Sequence, residues 1–277
     1  MSTPPRSWLF VPADSDKKIA KALASDADAL IFDLEDSVSP DRKAAAREIL
    51  KALPAREGGP QWWVRINPLG SDQLKADLKL LASADFTGIV LPKAESGADV
   101  TQLAHRTGNV PIHAIVTETA ASLFGLLSYR DAKSPLAAMS WGAEDLSAAL
   151  GASGKHGADG ELAFTYRLAR SLCLAGAVAA GVQPVDGVFA DYKDEHGLEV
   201  ETRAAAAEGF TGKLAIHPAQ IRVINAAFTP SKAELAHARA IVDAFEADPS
   251  AGVLSVGGRM VDRPHFIQAQ GVIARAR

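Results

Sequence analysis

The feature that most constrains this chain is a regular alternation of short apolar runs with longer Ala-, Lys- and Glu-rich stretches. The runs are almost continuously apolar, which is typical of parallel strands covered on both faces, and parallel strands need helical crossovers. Eight such runs predict an α/β fold, a closed (β/α)8 or TIM barrel. The predicted strands are Ser7–Pro12, Asp28–Asp36, Trp62–Asn67, Gly88–Lys93, Pro111–Glu118, Leu136–Asp145, Asp186–Asp191 and Lys213–Pro218.

The alternative, an open doubly wound sheet, is disfavoured because no glycine-rich phosphate-binding motif follows a predicted strand. We therefore predict a barrel domain over residues 1–228 and a C-terminal helical extension or lid over residues 229–277. Ser231 and Glu234 have the spacing of a capping box and predict that a helix begins there. The Gly257–Gly258 pair is a natural hinge. The barrel does not need the extension, which is expected to lie near the active site or at a contact between subunits.

Composition excludes several classes of protein. A net charge of −4 disfavours nucleic acid and anionic membranes as partners. No apolar stretch reaches the ~18 residues that a membrane span needs, and the first residues lack the apolar core of a signal peptide. The single cysteine, Cys173, lies in an Ala-rich helical run and is predicted to be buried. We expect a cytoplasmic protein that acts on small molecules.

Polar side chains follow the predicted strands where each strand ends. In a barrel these ends share one face, where active sites are found. Carboxylates outnumber cations there, which predicts a hard cation, and Mg2+ typically accepts one or two protein carboxylates. The polar residues are Asp33, Glu35, Asp36, Arg65, Asn67, Lys93, Glu118, Glu144, Asp145 and His217.

Several of these residues also have purely structural interpretations. Arg65 and Asp33 could form a salt bridge within the barrel. Glu118 and Asp145 could cap helices, since acids are favoured at helix starts. Lys93 could form a structural ion pair as readily as it could contact a substrate.

Nine motifs resemble those of one known family. The sequence resembles the citrate lyase beta-subunit-like proteins of the HpcH/HpaI aldolase superfamily, which are Mg2+-dependent aldolases and CoA-ester lyases. The motifs occur in the same order as in that family. The resemblance extends from Arg6 to Pro264. The motifs are RSWLFVPA, IFDLEDSV, VRIN, VLPKAE, TET, WGAEDL, GFTGKLAIHPAQI, FTPS and GRMVDRP.

The resemblance implies roles for individual residues. Glu118 and Asp145 would be the ligands of Mg2+, with Mn2+ as an alternative ion. Arg65 would bind the substrate and face the reacting carbonyl. Glu35 and Asp36 would lie close to the metal, separated from it by water.

The resemblance also implies that Asp262 is a catalytic acid on a C-terminal lid that reaches a neighbouring subunit's site, in a trimer or a hexamer. Coenzyme A would lie near the first strand and helix, where Lys17 is a candidate substrate contact together with Lys93. A solvated helix face is the structural alternative for Lys17. The roles of His217, Lys155 and His156 stay open.

The implied activity is cleavage or formation of a C–C bond in a 3-hydroxyacyl-CoA thioester of the malyl-, citramalyl- or citryl-CoA type. The partners would be a CoA ester and a 2-keto acid, with acetyl-CoA as the other product. Three alternatives stay open: a (3S)-malyl-CoA thioesterase, an aldolase that acts on free keto acids, and a partner-dependent subunit of a citrate lyase complex.

Overall fold

Eight parallel strands close into a barrel in sequence order, and the last strand pairs back onto the first. The predicted (β/α)8 barrel is therefore confirmed. The strands are β1 (Ser7–Pro12), β2 (Ala29–Asp33), β3 (Gln61–Arg65), β4 (Gly88–Leu91), β5 (Ile112–Ile115), β6 (Leu136–Ser140), β7 (Gln183–Asp186) and β8 (Gly212–Ala215).

The computed structural model describes residues 3–56, 58–132, 135–158 and 160–276. The chain divides into two compact units, a larger one over Pro4–Ile224 and a smaller one made mainly of the residues from Asn225 onwards. Within the described part of the chain, no helix is both long and apolar enough to cross a membrane.

Helices connect the strands, and local signals explain several of their ends. Ser96 and Asp99 form a capping box at the start of α4, and Gly181 and Gly209 end α7 and α8 in the left-handed region, where glycine has no Cβ penalty. Cys173 is buried in α7, as predicted. The helices are α1 (Asp16–Leu23), α2 (Lys43–Lys51), α3 (Leu74–Leu81), α4 (Gly97–Thr107), α5 (Ser122–Gly125), α6 (Ala143–Ala149), α7 (Phe164–Ala180), α8 (Glu195–Glu208) and α9 (Ile221–Phe228).

The barrel interior is filled by side chains from all eight strands, with large aromatic rings among them. The Trp8 and Trp63 rings lie 5.0 Å apart, and the His113 ring stands edge-on to Trp8 at 4.6 Å. A Cβ at position 88 would come within 2.3 Å of the Trp63 ring, so Gly88 makes room for that ring. Burial lowers the pKa of His113 to about 3. The barrel is thus a packed core that supports the site at its carboxyl-terminal face.

The seventh strand differs from the prediction. It covers Gln183–Asp186 and includes Pro184, whereas the predicted run began at Asp186. The sequence Gly181-Val182-Gln183-Pro184 has the composition of a loop, but in the structure Gly181 ends α7 and the chain enters the strand almost at once. The apolar residues after Asp186 therefore form a loop at the carboxyl end of the barrel.

The smaller unit contains α10 (Lys232–Ala247), a hairpin of β9 (Val253–Val256) and β10 (Arg259–Asp262), and α11 (Arg263–Ala274). The capping box of Ser231 and Glu234 is confirmed. Gly257 and Gly258, with φ of 58° and 79°, close the hairpin as its two-residue turn. The two strands were not predicted from the sequence.

Candidate active site

A cavity of about 280 Å3 opens at the carboxyl ends of the strands. Each side chain that lines it lies on a strand or shortly after one, so the barrel brings together residues that are far apart in sequence. The polar part of the lining includes the predicted residues Asp33, Arg65, Glu118, Glu144 and Asp145. The cavity is therefore the candidate active site, as expected for this fold.

Arg65 and Asp33 are opposite each other in the register of β2 and β3, and they form a two-bond ion pair. Arg65 Nε and Nη2 donate to the two carboxylate oxygens at 2.7 and 2.6 Å. The guanidinium carbon also lies 4.7 Å from the centre of the Phe10 ring. Burial alone would raise the pKa of Asp33, but the Arg65 charge and hydrogen bonds keep it below its usual range. The salt-bridge interpretation of Asp33 is thus confirmed.

The Asp33 carboxylate also shapes the turn that follows β2. It accepts hydrogen bonds from the backbone N–H of Glu35 at 2.9 Å and of Ser37 at 3.1 Å. This turn directs the Glu35 side chain inward, where an oxygen lies 3.1 Å from Arg65 Nη1. Burial raises the pKa of Glu35, although Arg65 and Lys93 oppose the shift. Arg65 therefore links two of the predicted acids.

Lys93 joins acids from two parts of the barrel, the turn after β2 and the start of α6. Its ammonium lies 2.5 Å from Glu35, 3.3 Å from Asp36 and 3.3 Å from Asp145. Burial would lower the pKa of Lys93, but these acids raise it above its usual range. The residue has a φ of 52°, in the left-handed region. Lys93 thus forms ion pairs at the centre of the site, and its contact with a substrate stays a prediction.

Glu118 is buried beside the same lysine. Its Oε2 accepts a hydrogen bond from the Lys93 backbone N–H at 2.5 Å. Burial, together with the charge of Asp145, raises the pKa of Glu118 to about 8. A Cβ at position 142 would come within 2.9 Å of the Glu118 side chain, so Gly142 leaves room for this carboxyl group. Burial therefore favours the protonated form of this carboxyl group, although the Lys93 N–H and the Arg65 charge oppose the shift.

The donor set of this region fits a hard divalent cation. Carboxyl groups outnumber cationic side chains, and burial together with the Asp145 charge raises the pKa of Glu118, so a cation bound there would favour its ionised form. In the described residues, no group of three or more His, Cys, Asp or Glu side chains forms a ready metal cage. Mg2+ needs no such cage, since it commonly uses one or two carboxylates and completes its shell with water and substrate oxygens. The acids are Asp33, Glu35, Asp36, Glu118 and Asp145, and the cations are Arg65 and Lys93.

Trp141, which sequence analysis did not select, lines the cavity, and its indole N–H is held by a buried carboxylate. Its indole Nε1 donates to Asp186 at 2.7 Å, and Asp186 also accepts from Arg170 at 2.8 Å and Lys213 at 2.9 Å. Burial would raise the pKa of Asp186, but the two cations lower it to about 2. A Cβ at Gly187 would lie 2.9 Å from the Trp141 ring. The wall of the cavity is thus held by a buried ion cluster.

Other predicted residues lie elsewhere. Lys17 is exposed on α1. The His217 ring packs against Tyr192 at 4.5 Å, and its Nδ1 accepts a hydrogen bond from the Ala219 N–H, so His217 caps the helical turn that follows it. Lys155 contacts Glu144 at the cavity. His156 forms an isolated bridge with Leu162.

Asp262 belongs to the smaller unit, where it is the N-cap of α11. Its carboxylate contacts His265, and this contact holds the pKa of Asp262 below its usual range. About two fifths of the side chain is exposed. The carboxylate is therefore ionised and accessible within its own unit, and its catalytic role stays a prediction.

Comparison with known proteins adds to this geometry. Residues 6–218 match the family model described as HpcH/HpaI aldolase/citrate lyase, and residues 166–277 match the model of a C–C bond lyase of the TIM-barrel fold. The citrate lyase subunit beta-like protein of Mycobacterium tuberculosis is 40% identical over 97% of this chain and 94% of its own. The (3S)-malyl-CoA thioesterase of Cereibacter sphaeroides is 36% identical over 99% of this chain and 95% of its own.

A solved structure agrees along the whole chain. The crystal structure of the M. tuberculosis protein CitE in complex with magnesium, acetoacetate and coenzyme A has a TM-score of 0.86 and 39% identity. The match covers 99% of this chain and 98% of the other.

Proposed function

Because this chain belongs to the HpcH/HpaI aldolase/citrate lyase family, we propose that it is a Mg2+-dependent carbon–carbon lyase for 3-hydroxyacyl-CoA thioesters. It would split a malyl-, citramalyl- or citryl-CoA type substrate into acetyl-CoA and a 2-keto acid, or join the two. One observation carries the proposal: a buried Glu118, whose pKa is raised to about 8, lines the same acid-rich cavity as the buried guanidinium of Arg65.

Glu118 and Asp145 are the residues we assign to the metal. Bound there, Mg2+ would supply Lewis-acid charge that acidifies the substrate hydroxyl and holds the keto-acid oxygens. Glu35 and Asp36 would face the ion through water, and Lys93 would keep these acids together while no substrate is present. The magnesium in the related CitE complex supports the choice of ion.

Arg65 is assigned to the thioester carbonyl. When the C–C bond breaks, its electron pair moves onto the acetyl portion and forms an enolate, so negative charge develops on the thioester oxygen. Arg65 is already oriented by Asp33 and covered by Phe10, so it would donate to this oxygen without reorganising. The cavity wall formed by Trp141 would limit access of water to the enolate.

The enolate then needs a proton at its carbon. We propose that Asp262 transfers this proton, as part of a lid over residues 229–277 that reaches a neighbouring subunit in a homotrimer or hexamer. When the C–C bond forms, the ionised carboxylate would take a proton from the acetyl carbon. When the bond breaks, the hydroxyl proton would leave to solvent, and Asp262, protonated from solvent, would return a proton to the enolate carbon. A lid also excludes water while the substrate reacts. Lys17 is proposed to contact phosphate groups of coenzyme A.

A thioesterase is the second candidate, because a (3S)-malyl-CoA thioesterase is 36% identical along the whole chain. In that reaction water attacks the thioester carbonyl, with the oxyanion again facing Arg65. The same residues would therefore serve the lyase and the thioesterase reaction. Only the lyase reaction breaks a C–C bond.

The deciding experiment mixes the purified protein, Mg2+ and acetyl-CoA with glyoxylate, pyruvate or oxaloacetate in turn. Mass spectrometry should detect one condensed thioester, which EDTA or Glu118→Ala should abolish. Malyl-CoA that releases free CoA and malate, without acetyl-CoA, would support the thioesterase. A purified homo-oligomer that transforms no CoA ester until partner chains are added would overturn the proposal and favour a complex subunit.

A further inference from the structure

Lys43, at the start of α2, is buried beneath the turn that carries Glu35 and Asp36. Its Nζ donates to the carbonyl oxygens of Leu34 at 2.8 Å and Glu35 at 2.9 Å, and to Asn67 Oδ1 at 2.6 Å. An ammonium group has three N–H donors and no acceptor. All three donors of Lys43 are therefore used, two on the turn after β2 and one on Asn67, just after β3.

The third partner, Asn67, is itself fixed. Its backbone N–H and its Nδ2 both donate to Asp77 Oδ2 at 2.8 Å, and Arg47 Nε donates to the other oxygen of Asp77 at 2.7 Å. Asp77 is fully buried on α3. The chain of bonds from Lys43 through Asn67 to Asp77 thus joins α2, the end of β3 and α3 behind the acid-bearing turn.

The turn is clamped on both sides of its backbone. The Asp33 carboxylate accepts hydrogen bonds from the N–H groups of Glu35 and Ser37, whereas the Lys43 ammonium donates hydrogen bonds to the carbonyl oxygens of Leu34 and Glu35. Each carbonyl oxygen has one other, longer hydrogen bond, since Leu34 O accepts from Asn67 Nδ2 at 3.1 Å and Glu35 O accepts from the Val38 N–H at 3.3 Å. Loss of the ammonium would remove the shorter, charge-assisted bond from each carbonyl, which would make rotation of these peptides easier. Rotation of a peptide redirects the side chains attached to it.

We propose that Lys43 is a positioning residue that directs the Glu35 carboxylate toward Arg65 and Lys93. In this way Lys43 also affects the balance of charge in the site. Lys43 is absent from the described residues that line the cavity, so it acts through the turn and does not touch the substrate. The contribution to turnover rests on the function proposed above. The contribution to the geometry of the turn does not.

The test compares Lys43→Met with Arg6→Met. Methionine keeps the apolar stem and removes the three donors. Arg6 forms a partly buried pair with Asp28 before β1, at the other end of the barrel, and provides a control for loss of a buried cation. Hydrogen–deuterium exchange of the amides of residues 34–38 is measured in both proteins, without substrate or metal. Lys43→Met should speed exchange there by at least about 10-fold, and Arg6→Met should leave it within about twofold.

Kinetics give the second measurement. Lys43→Met should lower kcat for the CoA thioester by about 30-fold or more while KM changes by less than about threefold, because the acids are misdirected and the binding surface stays. Arg6→Met should alter neither constant. If Lys43→Met does not fold, Lys43→Gln, which retains two donors on a shorter stem, should show smaller changes in the same directions.

The outcomes separate the two proposals. Unchanged exchange in residues 34–38 of a folded Lys43→Met or Lys43→Gln protein would overturn the positioning role, whatever happens to activity. Faster exchange with wild-type kcat would also overturn it, since the turn would then move without consequence. A wild-type protein that transforms no CoA ester would refute the proposed function alone, and the exchange result would still decide the role of Lys43 in the turn.

Discussion

Replacing Glu118 by glutamine should remove a pH dependence from the stability of the metal-free protein. Glu118 is only 4% exposed, and burial with the charge of Asp145 raises its pKa from 4.5 to about 8. Between these two values the folded protein retains a proton that the unfolded chain releases. The folded state then binds more protons, so the free energy of unfolding falls as the pH rises through this window.

The size of the effect follows from the two pKa values. Their difference, about 8 minus 4.5, at about 1.4 kcal/mol for each pH unit, sets an upper limit of about 5 kcal/mol. Relaxation and water penetration raise the effective dielectric constant, so we expect roughly 1–3 kcal/mol to be lost between about pH 5 and pH 8. Glu118→Gln keeps the shape of the side chain and cannot ionise, so it should lack this loss.

Urea unfolding in EDTA at several pH values measures the difference between the two proteins. Glu144→Gln is the matched control, because this acid lines the same cavity but its side chain is 62% exposed. It should follow the wild-type profile. Saturating Mg2+ should flatten the wild-type profile, since the ion binds the carboxylate form and displaces the proton. Parallel profiles for wild type and Glu118→Gln would refute the reasoning.

Three further results are expected. Asp145→Ala should weaken Mg2+ binding, measured by calorimetry, and reduce turnover by about 100-fold or more; normal activity in EDTA would contradict the ligand assignment. Arg65→Lys should lower kcat by about 100-fold with a smaller change in KM, because a point charge cannot replace the planar fork; an unchanged kcat would leave Arg65 as a structural partner of Asp33. Asp262→Asn should suppress deuterium exchange into the acetyl group of acetyl-CoA, and mixing it with Glu118→Ala chains should restore activity; no restoration in oligomers shown by mass to have exchanged subunits would contradict a lid shared between subunits.

The barrel and the positions of its acids could be predicted because both depend on local patterns. Apolar runs identify the strands, and the polar residue that ends a run identifies the face on which it lies. Asp33, Arg65 and Glu118 were all predicted in this way, and the structure places them around one cavity. The pattern could not decide whether Asp33 pairs with Arg65, because that depends on the register of β2 and β3.

The supporting residues could not be predicted in the same way. Lys43, Asp186 and Lys213 lie in or beside apolar segments. A charged residue at such a place usually indicates the exposed end of a strand or helix, so the sequence did not indicate that these three are buried. Each is buried between the barrel and its helices, and each is satisfied by partners distant in sequence, such as Asn67 for Lys43. The network that holds Trp141 depends on Asp186 facing outward from β7, a strand whose start was not predicted.

The left-handed backbone of Lys93 has a consequence for anyone who wishes to make this protein more robust. A residue with a Cβ at this φ costs roughly 1–2 kcal/mol, and glycine would avoid that cost. Glycine would also remove the ammonium that pairs with Glu35, Asp36 and Asp145 and would leave these acids without that charge. The backbone strain is therefore found where the side chain has three ionic partners, and strained residues of this kind are common at functional sites. The turn after β4 is where stability-guided redesign would first intervene, and it is the turn that such redesign should leave unchanged.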